Sequence, residues 1–309
     1  MNVTQATRAP RTAACCRPAS RGSLTPYFLV GPAVLLLVAF GVLPILVAAG
    51  VSLTDLDIHG LGHPEAVRFI GFENYRSLFA DPNFWASLGN TAFFVVIGIP
   101  TIVGSSLLVA IGLDHSQSRF FRALRSLYFL PAITAIVAVS LIWGYLYNSQ
   151  FGLLNYLLGL VGLGPIPWLS DPFVARFSVA GVAIWRATGL NIIIFLAALQ
   201  AVPKEYREAA AIDGAGPWRT TISVVIPLLR FAILFVTVTT LISWMQFFDE
   251  PFVLLRWPAN ANMSASLYIY FEGFRFNAFG FASAASLVLL AIILAVTVIQ
   301  LRIRRFSND

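Results

Sequence analysis

Glu205, Arg207, Glu208 and Asp213 border a group of small residues, Ala209, Ala210 and Gly214, within one short segment of the chain. The stretch 202–229 that holds them has no histidine, no cysteine and no Ser/His pair, so it offers neither an activated nucleophile nor a metal ligand set. It offers instead a small, smooth face on which another protein's backbone can come close, with charges at the rim to fix register. That is the profile of a docking element.

Elsewhere the residues capable of chemistry are sparse. Lys204 is the only lysine, and it is followed by Glu205 with no glycine run before it, so the chain cannot form a phosphate-binding loop of the GxxxxGK[ST] type. Cys15 and Cys16 are adjacent and give neither a disulfide framework nor a spaced metal pair. His59, His63 and His115 fall on opposite sides of the topology derived below, so no metal site is expected. Neither HExxH nor GxSxG occurs, which argues against an integral-membrane enzyme. Arg186 stands alone inside an apolar run, where a charge costs about 2.5–3.5 kcal/mol on insertion scales and faces protein or a water-filled path. Two readings are open for it. Arg186 lines a translocation cavity with Asn191, Gln246 and Asp249, Gln200 being a further candidate, or it is a structural group paired with Asp249 or with backbone carbonyls at a helix break near Gly189.

The elements that position these residues follow from composition. Of 309 residues 58% are hydrophobic and 11% charged, against about 25% charged in a soluble domain, which excludes a disordered chain and nearly excludes a soluble enzyme. A membrane helix needs about 20 largely apolar residues, and six segments qualify: 27–53, 86–113, 126–147, 174–199, 226–248 and 281–301. Pro32, Pro44, Pro100 and Pro131 lie inside them and are read as kinks, tolerated because neighbouring helices re-satisfy the freed backbone groups. The run at 27–53 is too long for the 7–15-residue core of a signal peptide and is read as a retained span. The stretch 265–274 is apolar but too short to cross, and is expected to lie at the interface or dip back in. Trp85, Trp143, Trp168, Trp218, Trp244 and Trp257 sit near expected span boundaries and read as interfacial anchors.

Charge sets the orientation. The N-terminal tail, the second and fourth connections and the C-terminus hold 14 of the 20 basic residues, and the alternate connections hold five. By the positive-inside rule both termini are cytoplasmic, and the net charge of +6 marks orientation rather than nucleic-acid binding. The stretch 202–229 is then the longest cytoplasmic connection. Pro203 suits a first helical position, Ala209, Ala210 and Ala211 favour helix, Gly214 suits a left-handed terminator, and Gly216-Pro217 restarts a helix. The expected element is a helix, an elbow and a second helix.

The spacing Glu208-Ala209-Ala210, then Gly214, then Val224, Val225, Ile226 and Pro227, with Asp213 and Ala215 flanking Gly214, resembles the coupling loop of ABC importer permeases that work with a separate ATPase and an external binding protein. Phe69-Ile70-Gly71-Phe72-Glu73-Asn74-Tyr75-Arg76 and Phe84-Trp85-Ala86-Ser87-Leu88-Gly89-Asn90-Thr91 look like the region before the second span in carbohydrate importer permeases. Trp185-Arg186-Ala187-Thr188-Gly189-Leu190-Asn191 with Leu199-Gln200-Ala201-Val202-Pro203 is similar to their fourth span. The resemblance runs from about residue 25 to 303 and points to the first-type permease of the maltose, lactose and glycerol-3-phosphate group.

That resemblance implies an all-α integral membrane protein with six transmembrane helices and the type I ABC importer permease fold. It divides the chain into an arginine-rich cytoplasmic tail (1–24), a first helix (25–53), an external loop (54–85), a five-helix transmembrane domain (86–302) with its coupling loop at 202–229, and a short tail (303–309). It implies a non-enzymatic subunit of the cell membrane that imports a carbohydrate or polyol. The partners are a second permease, two ATP-binding subunits and an external solute-binding protein, with ATP and Mg used by the ATPase and no cofactor in this chain. Glu208, Ala209, Ala210, Asp213 and Gly214 are the implied ATPase-coupling residues. A non-sugar solute, a membrane enzyme or a passive channel are the alternatives. Two places depart from the family pattern: Thr221 stands where relatives often carry Phe, and Leu255-Arg256-Trp257-Pro258-Ala259-Asn260 replaces a Thr-x-Gly-Gly-Pro loop.

Overall fold

A computed structural model describes residues 25–114, 119–255 and 262–306. The tails 1–24 and 307–309, Cys15, Cys16, His115, Trp257 and most of the 255–260 loop lie outside the described residues. The chain divides into two compact units, 1–47 and 48–309. In the first, α1 (Thr25–Leu37) passes through a π-turn at Val38–Val42 into α2 (Leu43–Val51), the helix that carries the chain across the division at Val47. This run is apolar all round, with Phe28, Leu35 and Phe40 exposed, as suits a segment surrounded by lipid or by other protein.

The second unit is built on α3 (Pro82–Asp114), α4 (Arg119–Ile133), α5 (Ile136–Leu146) and α6 (Pro172–Gln200). These are followed by α7 (Lys204–Ile212), α8 (Pro217–Thr220), α9 (Arg230–Met245), α10 (Asp249–Leu254), α11 (Ala265–Tyr270) and α12 (Phe279–Phe306). Among the described residues there is no strand, only an isolated antiparallel bridge between Thr54 and Phe69. Among the described residues five helical segments are long and apolar enough to cross a membrane. A sixth crossing is available only as the pair 126–133 and 136–146, bent by 102°.

That bend corrects the reading of 126–147 as one kinked helix. Pro131 has no N–H to give back to the preceding turn, and α4 ends two residues later. Thr134 Oγ1 turns back to the Leu130 carbonyl at 2.8 Å, Ala135 is extended at its ψ of 123°, and α5 starts afresh. By contrast α3 runs on through Pro100. The fifth span is also interrupted: a π-turn at Thr221–Val225 and one short turn at Ile226–Leu228 precede α9, and α9 stops at Met245, before the expected end at Phe248.

Packing centres on α3 against α6, with α4 and α9 on either side. Phe94, Ile102, Val179, Val182 and Trp244 form one core cluster, and Ile192, Phe195, Leu199 and Val236 another nearer the far ends of α3 and α6. Two glycines set the spacing. A Cβ at Gly98 would lie 2.1 Å from the Trp244 ring, and one at Gly189 would lie 2.2 Å from the Tyr128 carbonyl oxygen of α4. Trp244 is therefore an interior residue, stacked on Phe247 at 5.1 Å, and not an interfacial anchor. Trp168 likewise spends its indole N–H on Asn155 Oδ1 at 2.9 Å.

At the end of the unit away from α7, the segment 48–81 is tied down by buried polar contacts. Asn74 Nδ2 donates to the carbonyls of Ser52 and Thr54 at 2.8 and 2.9 Å, and Gly280 N donates to the Leu56 carbonyl at 2.9 Å. The short helix α11, in the stretch read as too short to cross, packs against α3 and α12 with Tyr268 buried.

The glycine contacts give a test of the packing. Gly189→Ala is expected to destabilise the purified protein by about 1–3 kcal/mol, the usual cost of forcing a methyl into a filled site. Gly104, with open space at its Cβ position, is the control: Gly104→Ala should leave the melting temperature in detergent unchanged or raise it. Equal melting temperatures for the two variants would contradict the close approach of α4 to α6.

Candidate functional site: a docking elbow and a polar cavity

α7 begins after Pro203, which occupies the N-cap rather than the first helical position, and Lys204 opens the helix. The helix is closed by Gly214 at φ +76°, with Gly214 N donating to the Ala211 carbonyl at 3.1 Å and Ala215 N to the Ala210 carbonyl at 2.9 Å. This paired pattern is the Schellman motif, and it requires a left-handed residue at the position Gly214 fills. Gly216 then caps α8, whose first residue is Pro217. Thr221 is buried and turns its hydroxyl to the Pro217 carbonyl at 2.9 Å.

Helical spacing divides the small face in two. Glu205, Glu208, Ala209 and Ile212 share one side of α7 and are all exposed, Ile212 at 87%. Ala210 is buried within the chain, and Arg207 is tied to Asp114 at the end of α3 by a 2.9 Å ion pair. Asp213 and Gly214 are exposed at the elbow. Tyr206 and Trp218 also stand out, at 52% and 69% exposure, and were not singled out as contact residues from the sequence. Exposed apolar side chains ringed by charge are what a protein-binding surface presents. Behind α7 lies a groove of about 410 Å³ floored by Asp114, Leu199, Arg207, Thr221 and Val225.

The second constellation lies deeper. Arg186, Asn191, Gln246 and Asp249 all line one cavity of about 580 Å³, together with Thr239, Thr240, Ser243 and Glu250. Gln200, at the end of α6, is not among its lining residues. Arg186 Nε donates to Glu250 Oε1 at 2.9 Å, and the Glu250 side chain is almost wholly buried while that of Arg186 is 28% exposed. The partner of Arg186 is thus Glu250, not Asp249, and α6 is unbroken at Gly189. Asn191 Nδ2 donates to the Ala187 carbonyl at 3.0 Å. Both readings of Arg186 therefore meet in one place: it is paired, and it lines a cavity. Glu250 was missed because the hydropathy boundary of the fifth segment put it in a loop, whereas the segment resumes as α10, which packs against α5 and α6. Among the described residues no group of three or more His, Cys, Asp or Glu side chains is arranged to hold a metal.

Comparison with known proteins decides what such a molecule is. Residues 77–307 match the family model described as "Binding-protein-dependent transport system inner membrane component". The chain belongs to this family. It is 34% identical to a lactose transport system permease of Rhizobium radiobacter, over 91% of this chain and 96% of that one. It is 33% identical to an sn-glycerol-3-phosphate transport system permease of Pectobacterium atrosepticum, over 93% and 96%. Among solved structures it superposes on a chain of a bacterial alginate ABC transporter in complex with its alginate-bound periplasmic protein, with a TM-score of 0.79 over 92% of this chain and 95% of that one, at 21% identity. The family and the apolar helices make the chain a multi-pass inner-membrane transport subunit and not an enzyme.

The ion pair of this permease is open to a thermodynamic test. Removing one partner of a buried pair costs about 3–5 kcal/mol, whereas replacing both with apolar residues is often neutral. Arg186→Leu alone is expected to lower the yield and melting temperature of the purified permease, and Arg186→Leu with Glu250→Leu to recover most of the loss. Independent, additive effects in the double-mutant cycle would show that the two groups do not depend on each other.

Proposed function

We propose that this chain is one permease subunit of an ATP-driven, binding-protein-dependent importer for a carbohydrate or a related polyol. The observation that carries the reading is that α6 joins the two constellations. Arg186 and Asn191 line the cavity from its middle, and only three residues, 201–203, separate its last residue, Gln200, from the start of α7 at Lys204. From Arg186 to Gln200 is about 21 Å at 1.5 Å per residue, so a displacement at the docking elbow reaches the cavity through one continuous helix.

The names of the relatives supply the solute class: lactose, arabinooligosaccharides and sn-glycerol 3-phosphate. In the mechanism, a second permease completes the pathway, an external binding protein delivers the solute, and two ATPase subunits use ATP and Mg outside this chain. Both termini then lie in the cytoplasm, on the side the arginines favour. ATPase closure moves α7, and the cavity alternates between the two sides of the membrane. Such a shift needs contacts that differ between the two ATPase states. Glu208 and Asp213 supply charge at that contact, Ala209 the close approach, Gly214 the bend, and Ala210 the seat of α7 on the rest of the chain.

The test uses the complete importer in proteoliposomes. Glu208→Lys and Gly214→Asp should each reduce ATP-driven solute uptake at least tenfold while the permease still inserts. The second permease and the ATPase should co-purify with the unaltered chain. Uptake at the normal rate in both variants would remove the coupling assignment.

A further inference from the structure

Among the described residues that line the cavity, the ionisable groups are Arg186, Asp249 and Glu250. One cation faces two carboxylates, which leaves one net negative charge. Glu250 accepts from Arg186 Nε at 2.9 Å, so the guanidinium's charge is already spent on a partner inside the chain. Asp249, one residue away, is exposed to the cavity and makes no ion pair with any described cation. The remaining lining combines uncharged hydrogen-bonding groups, among them Asn191, Thr239, Ser243 and Gln246, with apolar side chains such as Leu190, Phe235 and Trp244.

We infer that the cavity selects uncharged polyhydroxylated solutes and rejects anionic ones such as sugar acids and polyol phosphates. The inference rests on the importer reading above and narrows its solute class. A guanidinium has five donors, and only the Nε donor is engaged by Glu250, so the others can meet hydroxyl oxygens without offering an uncompensated positive charge. Asp249 accepts from hydroxyl groups, and the amides and hydroxyls around it both donate and accept. A neutral sugar matches this arrangement with both its donors and its acceptors. A phosphate or carboxylate brings acceptors only, meets Asp249 as a like charge, and finds Arg186 already neutralised. Like charges meeting in a partly open cavity repel more strongly than in bulk water, because the protein walls lower the effective dielectric between them. Specificity of this kind comes from the repulsive group as much as from the attractive ones. The chain therefore parts company with relatives whose names specify an anionic solute, although its overall sequence is about equally close to both kinds.

The experiment titrates the complete membrane complex in nanodiscs, without the binding protein, so that selection by that protein does not enter. The probes are two pairs, lactose with lactobionate and glycerol with sn-glycerol 3-phosphate, and binding is read by calorimetry. The neutral member of at least one pair should bind at least tenfold tighter than its anionic counterpart. Asp249→Lys, which reverses the charge at an exposed position and leaves the Arg186–Glu250 pair intact, should shrink that ratio at least tenfold, and Asp249→Asn should shrink it less. An anion bound as well as its neutral partner overturns the inference, as does a ratio unmoved by Asp249→Lys. No binding of any probe, together with no ATP-driven uptake once the binding protein is added, overturns the carbohydrate reading and the inference with it. Uptake of the neutral solute with an unselective cavity overturns the inference alone.

Discussion

A guanidinium in the middle of a 29-residue apolar helix must find compensation inside the protein, and Arg186 finds it in Glu250. Neither charge is tolerable without the other at this depth. The pair spans 64 residues of chain and fixes α10 against α6. The fifth segment breaks at Gln246 to Phe248 and resumes as the short helix α10, which brings Glu250 to Arg186. That break places Gln246 and Asp249 on the cavity wall. The interruption of the span, the polar lining and the buried salt bridge are thus consequences of one electrostatic requirement.

The close helix contacts follow from a different rule, the lack of any hydrophobic drive between helices in lipid. Association there depends on tight packing at small residues. Gly189 lets the Tyr128 carbonyl of α4 come against α6, and Gly98 lets the Trp244 ring of α9 lie flat on α3. Both glycines sit within a few residues of the cavity level, so the helices that enclose the polar space are also those held most closely. The arrangement keeps the wall thin in side chains on the packed side, and leaves the longer polar groups free to face the opening.

What the sequence revealed was whatever depends on local or segment-averaged properties. Apolar length gave five spans outright and the approximate place of the sixth. Gly214 and Gly216-Pro217 announced the elbow, because a left-handed glycine and a proline at a first turn are local necessities. Arg186, Asn191, Gln246 and Asp249 stood out as polar residues in apolar surroundings, and the structure places all four on one cavity. The features that were not legible depend on distant partners. Nothing near Arg207 shows that it will be tied to Asp114, 93 residues earlier, and nothing near Ala210 shows which side of α7 will be covered. Hydropathy assigned Glu250 to a loop because an average over a window cannot register that the helix resumes after a short break and pairs the carboxylate with Arg186, 64 residues away. The 102° bend was missed for a related reason: Pro131 was correctly seen as a perturbation, but whether a proline bends a membrane helix or is carried through it, as at Pro100, is decided by what packs around it.

The distribution of regular and irregular helix within the second unit also bears on how motion is transmitted. α6 has its only proline at its first residue, Pro172, and keeps regular helical structure from there to Gln200, so it acts as a stiff rod between elbow and cavity. The neighbours on which it bears are different in kind. The third segment is divided at Thr134 and Ala135, and the fifth is divided at Leu229 and again at Gln246 to Phe248, beyond a π-turn at Thr221–Val225. Transporter cavities are built where helices are discontinuous, because broken backbone is tolerated at membrane depth only where protein or a water-filled space can satisfy it. Hinges, in turn, form at the few residues that can absorb a change in φ and ψ. Of these breaks, the one at Gln246 to Phe248 lies on the cavity wall itself, whereas Thr221 and Val225 line the groove behind α7; on the importer reading, a stiff α6 passes displacement from the elbow to the level of that wall break.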